Sequence, residues 1–345
     1  MITRRRALQS IAGAAVLSAT TTAFAQPQPR KPPRLKVGDT VGLVEPSWSS
    51  GDRFDIALAA ETVRAMGLVP KIGRHVGERY GFLAGRDEQR AADLNAMYAD
   101  PSVRAIFALR GGSGAARILP MLDWRTIRAN PKLLIGYSDI TALHMAIAAR
   151  AGTPTLHAPM LTVGSAWGKL SWNAFRALAF EGATPTYVNP LGNEDRLVQR
   201  SGRIRTFRPG KASGRLLGGN LTVLTALVGT PYLPDFDGAI LFLEDVDEGP
   251  YRVDRMMTQL ALSGILGRVA GVVFGQCTGC NQGGSLLGGF TVSEVLEHHL
   301  TPLRIPAFEG ALLGHIPDQW SFPIGIRAEI DASAGTIRML EPTVA

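Results

Sequence analysis

"KLLIGYSDITALHMAIAARAG" (132–152) is the stretch on which the fold turns. Leu133, Leu134 and Ile135 run into Gly136, and a helical pattern follows Asp139. A buried strand that passes through a tight turn into a helix is half of a βαβ unit. Gly136 stands two residues before Ser138, where a strained strand-to-helix turn needs a small residue because the backbones approach closely. The second small residue of such an elbow would fall at 140, and this chain has Ile140 there. The spacing therefore leaves two readings open. Ser138 is a nucleophile on a sharp turn, or Ser138 or Asp139 is simply the cap of a helix.

The segments upstream repeat the alternation. "LKVGDTVGLVEPS" (35–47) reads as a strand and "RFDIALAAETVRAMGL" (53–68) as a helix ending at a glycine. "VPKIGRHV" is a second strand, 85–103 a helix stopping near Pro101, and "RAIFALRGGSG" (104–114) a buried strand feeding a glycine turn. "AARILPMLDWRTIRANP" is helical, with an interruption at Pro120. This order predicts a parallel sheet covered by helices.

After Gly152 the pattern changes, and Pro and Gly thicken between 185 and 219. The expected division is an α/β domain over 35–180, a linker over 181–212 and a second domain over 213–345. In that second half "GRLLGGNLTVLTALVG" (214–229) reads as a glycine-rich turn into an apolar helix. "GAILFLEDVDEGPYRVDRMMTQLALSGIL" (238–266) reads as strand, acidic loop and helix, "VAGVVFGQC" as a strand, and 326–340 as a terminal hairpin. The content is mixed α+β, with no fixed-period repeat.

Residues 1–25 belong to targeting. Arg4, Arg5 and Arg6 precede a mildly apolar run and Ala23-Phe24-Ala25, the layout of an export signal with cleavage before Gln26. The arginine cluster between Thr3 and Leu8 resembles a twin-arginine signal, which implies a periplasmic destination. "QPQPRKPPR" (26–34) is an extended, Pro-rich lead-in. Losing the leader lowers the net charge from +7 to +4. No basic stripe with interleaved aromatics is present, so a nucleic-acid partner is not expected, nor a membrane one once the leader is removed.

Several motifs carry chemistry. "GSGAAR" (112–117) approaches a dinucleotide fingerprint, but Arg117 stands where the third glycine belongs. Gly111 and Gly112 are better placed to present backbone N–H groups into a cleft, as an oxyanion hole does. Cys277 and Cys280 form a C-x-x-C followed by Asn-Gln-Gly-Gly. Without a second ligand pair zinc is not expected, and a structural pair, oxidised or not, is preferred to a redox site. A serine nucleophile needs a base and an orienter. His298 and His299 read as surface residues, His144 faces away from Ser138, and His157 reads as a satisfied core histidine. His315 follows an apolar run and a glycine, at a strand-end loop where sites tend to form. Glu244 is the first acid after a buried strand. Asp245, Asp247 and Glu248 read as a solvated acidic loop.

"RGGSGAARILPMLDW", "IGYSDITALH", "GRLLGGNLTVLTALVGTP", "LFLEDVDEGPYRVDRMMTQL" and "GHIPDQWSFPIG" occur in this order. Together they resemble the LD-carboxypeptidase family of serine peptidases, which includes muramoyltetrapeptide carboxypeptidases and microcin-C immunity peptidases. The resemblance covers about residues 35–340. It implies an N-terminal parallel-sheet α/β domain with the nucleophile elbow and a C-terminal mixed, β-rich domain carrying a glutamate and a histidine. It assigns the nucleophile to Ser138, the acid to Glu244 and the base to His315, with the oxyanion hole formed by backbone N–H groups of Gly112 and Asp139. It implies no metal and no cofactor, peptidoglycan peptides as substrate, and a homodimer as one possible assembly. Ser113 replaces the tyrosine that usually follows R-G-G. Recognition of a terminal carboxylate calls for a cation, and Arg110 is the candidate. The activity implied is release of the terminal D-alanine from peptidoglycan tetrapeptides. The competing readings are a peptidase for peptidyl-nucleotide antibiotics, a non-catalytic wall-peptide binding protein and a cofactor-loaded redox protein.

Overall fold

The computed structural model describes residues 30–345 except 162–166, 191, 193, 194, 196, 200 and 281–288. The leader expected at 1–25, and the first residues of the lead-in, lie outside the described residues.

The first half alternates as its sequence pattern requires. In chain order it contains β1 (Thr40–Val44), α1 (Arg53–Ala65), β2 (Val69–Ile72), α2 (Asp87–Ala99), β3 (Val103–Ala108), α3 (Ala115–Ile118), α4 (Trp124–Ala129), β4 (Leu133–Gly136), α5 (Thr141–Arg150) and β5 (Thr155–His157). The strands pair in parallel in the order β5-β4-β3-β1-β2. All four residues of β4 are buried, as in a parallel strand covered on both faces. Asp52 caps α1 by accepting from the Asp55 N–H, and Pro120 falls in the break between α3 and α4. Next, α6 (Lys169–Ala179) lays Phe175 against Phe107 of β3, with ring centroids 5.7 Å apart.

The second half contains β6 (Thr186–Tyr187), β7 (Arg205–Arg208), β8 (Lys211–Asn220), α7 (Leu221–Ala226), β9 (Ile240–Val246), α8 (Pro250–Leu262), β10 (Gly271–Thr278), α9 (Val292–Leu300), β11 (Ala307–Glu309), β12 (Phe322–Ile324), β13 (Arg327–Asp331) and β14 (Thr336–Met339). Eight of these strands form one sheet in the order β6-β14-β13-β8-β9-β10-β11-β7. Its centre, β8 to β11, is parallel and its flanks are antiparallel. The hairpin expected at 326–340 is β13–β14. β12 instead crosses to the first sheet and pairs antiparallel with β5, Phe322 opposite His157.

One element differs from the expectation. The glycine-rich run at 214–219 is not a turn but the body of β8. A Cβ on Gly214 would lie 2.0 Å from the Gly238 carbonyl oxygen, and one on Gly218 would lie 1.8 Å from that of Phe242. The glycines are there because the neighbouring main chain is too close for any side chain.

Candidate active site

Ser138 opens a single 3-10 turn, Ser138–Ile140, between β4 and α5. Its φ is 62°, a left-handed conformation that costs a non-glycine residue on the order of 1–2 kcal/mol. Gly136 makes the bend possible, since a Cβ there would lie 3.0 Å from Ile140 Cγ1 and 3.2 Å from Ala108 Cβ. Ile140 thus fills the space under the turn. Neither Ser138 nor Asp139 caps α5, which begins without a side-chain cap. The Asp139 carboxylate has another use. Its Oδ2 accepts from Ser47 Oγ at 2.5 Å and from the Ala115 N–H at 2.8 Å. That ties the loop after β1 and the start of α3 to the serine turn. Burial pushes the Asp139 carboxyl up, against these two donors, which hold it down.

The glycine turn after β3 lies against this bend. A Cβ on Gly111 would sit 3.0 Å from Ser138 Cβ and 3.4 Å from the backbone nitrogen of Asp139. Gly112, at φ 119°, faces the Trp48 ring, which a Cβ would approach to 2.4 Å. Arg110 donates to the Ser49 carbonyl at 3.1 Å and holds its guanidinium 5.3 Å from the Trp48 ring centroid. Among the described residues it forms no ion pair.

Glu244 and His315 come from the second half. Glu244 is fully buried on β9, and its Oε2 is 2.8 Å from His315 Nδ1. In the neutral ring, a proton on Nδ1 donated to Glu244 leaves Nε2 as the accepting nitrogen, the tautomer suited to a general base. Gly314, at φ 120°, allows the approach, because its Cβ would lie 3.1 Å from Glu244 Oε2. The His315 ring packs on Tyr137, the residue before Ser138, with centroids 4.8 Å apart. Burial pulls the His315 pKa down, but the Glu244 hydrogen bond and the charges of Glu244, Asp245 and Asp247 outweigh it, and the net direction is up.

Three residues differ from their sequence reading. Asp245 is buried, not solvated. It accepts from Asn220 Nδ2 at 2.9 Å and from the Thr222 N–H and Oγ1 at 3.0 and 2.9 Å, fastening the start of α7 to β9. Burial first, and Glu244 second, raise its pKa to about 6. His157 is buried, but neither ring nitrogen has a partner among the described residues, and it packs between Tyr137 and Phe242. His299 is not a free surface residue: its Nε2 meets Asp254 Oδ1 at 2.8 Å, joining α9 to α8. His144 is buried, with its Nε2 bonded to the Gly136 carbonyl at 2.9 Å.

Cys277 and Cys280 are joined as a disulfide. Among the described residues no group of three or more His, Cys, Asp or Glu is placed to hold a metal, and no helix is long and apolar enough to cross a membrane. A cleft of about 860 Å³ lies at the C-terminal end of α5 and includes Arg128, Arg150, Arg215 and Arg327. It contains none of Ser138, Glu244 or His315, so its size does not make it the reactive centre.

Residues 41–158 match the model of the LD-carboxypeptidase N-terminal domain, and residues 213–330 that of the LD-carboxypeptidase C-terminal domain. The chain belongs to the LD-carboxypeptidase family. It is therefore a serine peptidase of the carboxypeptidase type. A relative in Bacillus subtilis, a probable murein peptide carboxypeptidase, is 36% identical over 89% of this chain and 93% of its own. The solved muramoyltetrapeptide carboxypeptidase of Oxalobacter formigenes superposes with a TM-score of 0.74 at 28% identity, over 87% of this chain and 97% of that one. MccF, the microcin C7 self-immunity protein known from Escherichia coli, solved with glutamyl sulfamoyl guanosine, superposes with a TM-score of 0.83 at 26% identity, over 92% and 100%. The LD-carboxypeptidase fold joins a parallel sheet to a second mixed sheet, and here the junction brings Tyr137 onto His315.

Proposed function

We propose that the chain is an exported serine LD-carboxypeptidase that removes the terminal D-alanine from peptidoglycan tetrapeptides. Ser138 is the nucleophile, His315 the general base and Glu244 its orienter. The observation that carries this reading is the Glu244–His315 hydrogen bond of 2.8 Å, with the imidazole packed at a tilt on the residue before a positive-φ serine. His315 Nε2 takes the proton of Ser138 Oγ as the oxygen attacks the scissile carbonyl. Backbone N–H groups of Gly112 and Asp139 receive the developing oxyanion, worth roughly 3–4 kcal/mol per donor. His315 returns the proton to the departing amine, and water then hydrolyses the acyl-enzyme by the same route in reverse. Glu244 holds the imidazole tautomer and stabilises the imidazolium. Arg110 receives the terminal carboxylate.

The test uses residues 26–345 with a purified disaccharide tetrapeptide, read by mass spectrometry, beside Ser138→Ala. Loss of one alanine with wild type alone supports the assignment. Loss with both proteins removes Ser138 from its role. Arg110→Gln should raise KM by roughly tenfold or more with a smaller effect on kcat, and an unchanged KM would sink the carboxylate role. Export is tested by fractionating cells and sequencing the N-terminus of the periplasmic protein, where an intact Met1 would remove the leader reading.

The structural likeness to MccF bound to an aminoacyl nucleoside analogue favours a second reading, hydrolysis of a peptidyl-nucleotide amide. Competition between such a compound and the tetrapeptide, compared by kcat/KM, separates the two.

A further inference from the structure

The Cys277–Cys280 pair lies next to the reactive centre, and the mechanism above does not use it. Cys277 sits on β10 directly opposite Asp245 of β9, the residue after Glu244. The two residues enclosed by the disulfide, Thr278 and Gly279, are both engaged with the site. Thr278 Oγ1 donates to the backbone carbonyl of His315 at 2.8 Å, and the Thr278 carbonyl accepts from the Asp247 N–H at 2.8 Å. Gly279, at φ 76°, lies so close to Asp247 that a Cβ would reach 2.1 Å from its Oδ1. Just before Cys277, the Gln276 N–H bonds to the Leu313 carbonyl at 2.9 Å. The loop bearing His315 is thus fastened to the end of β10 at two points, one of them inside the disulfide ring.

A bridge between residues three apart constrains the unfolded chain least of all, because loop-closure entropy grows with loop length. Its effect is local: it fixes the backbone of the turn. We propose that the Cys277–Cys280 disulfide holds Thr278 as a positioning residue for His315, so that full turnover depends on the oxidised pair. Reduction passes two electrons and two protons from a dithiol to the bridge, giving two cysteine thiols and an oxidised, cyclic disulfide of the reagent. The turn then loses its constraint, the Thr278–His315 bond weakens, and the imidazole is held less well over the serine turn. The groups facing that imidazole are Glu244, Asp245 and Asp247 from the second half and Tyr137 and His157 from the first, so a shift of the ring changes its charged surroundings.

This inference rests on His315 being the base, and the experiment separates the two. The intact protein is treated with dithiothreitol, thiols are counted, and kcat and KM on the tetrapeptide are measured across pH. The His315 ring titration is followed by NMR on the same samples, assigned with His315→Gln. Thr278→Val, Thr278→Ser and the double variant Cys277→Ala/Cys280→Ala are measured alongside, with thermal unfolding. The expected result is a fall in kcat of about tenfold on reduction, with KM nearly unchanged and a displaced His315 titration. Thr278→Val should show the same fall and no further response to dithiothreitol, and Thr278→Ser should keep most of the rate. An unchanged kcat and an unchanged His315 titration in the reduced protein and in Thr278→Val overturn the proposal. If the oxidised protein does not cleave the tetrapeptide at all, the substrate reading fails, and the NMR titration still decides whether the bridge positions His315.

Discussion

The backbone N–H of Asn220 donates to Thr141 Oγ1 at 2.9 Å. Asn220 ends β8, in register with Glu244 on β9, and Thr141 begins the helix that follows Ser138. This bond therefore joins the strand layer of Glu244 to the helix that follows Ser138. Gly219 makes room for it, since a Cβ there would lie 2.5 Å from the same hydroxyl. Thr141→Val keeps the shape and removes the acceptor, leaving a buried N–H unpaired. Urea unfolding should report a loss of about 1–3 kcal/mol, and kcat should fall by roughly tenfold as the two halves lose their mutual placement. Thr141→Ser should retain both. A Val variant with wild-type kcat would show that the two halves align without this bond.

Ser138 carries backbone strain at the point where chemistry is expected. In most positions Gly is less favourable than Ala because the unfolded chain gains entropy. At a φ of 62° the order should reverse. Ser138→Gly should be more stable than Ser138→Ala by about 1 kcal/mol in denaturant unfolding, with both inactive. The ordinary order, with Ala more stable, would mean that the turn is relaxed in solution.

The raised pKa of His315 sets a pH dependence. A general base works unprotonated, so kcat/KM should be high above its pKa and fall as pH drops through it. That acid limb should lie above the ordinary imidazole value of about 6.5. Glu244→Gln removes the charge that lifts it, so the limb should move to lower pH while the maximum rate falls by about 10³-fold or more. Linkage has the matching sign. The raised pKa contributes folding stability that is present below the unfolded value and lost as pH rises through the folded one. A limb that stays in place in Glu244→Gln would take the carboxylate out of the base's environment.

Two buried histidines act in the opposite sense. Burial pulls His144 down to about 4 despite its bond to Gly136, and pushes His157 well below its ordinary value, with the neighbouring His144 and His315 adding to it. Both groups bind fewer protons folded than unfolded, so their stability is present above about 6.5 and lost as pH falls toward 4. Asp245, lifted to about 6, has the other sign and offsets part of this loss between its unfolded value of 3.8 and 6. His157→Leu removes a ring with two unpartnered nitrogens from an aromatic setting. Near pH 8 it should change stability by less than about 1 kcal/mol, and it should flatten the acid decline. A decline as steep as in wild type would place the labile proton elsewhere.

The first half was legible in sequence because its signals are local. Helical periodicity and the glycine before Ser138 each act within a few residues. The failures were all long-range. Gly214, Gly218 and Gly219 read as a turn because glycine marks turns, but their cause is the main chain of residues 238 and 242 and the side chain of Thr141, which spacing does not reveal. Asp245 read as solvated because it follows an acid in an acidic run, whereas its partners Asn220 and Thr222 lie more than twenty residues away. Tyr137 and Thr278 lie inside stretches that the sequence singles out, but only the fold brings them to His315.

The excursion of β12 into the first sheet has a consequence for how the protein is made. Synthesis delivers β5 long before Phe322–Ile324, so until those residues leave the ribosome the first sheet has an uncovered edge beside the strand that feeds Ser138. A polypeptide stopped before residue 322 carries the serine turn but lacks both His315's onward chain and the strand that seals β5. A chain ended before β12 is thus not half of this fold, and a growing one seals the sheet beside the serine turn only after residues 322–324 have been made.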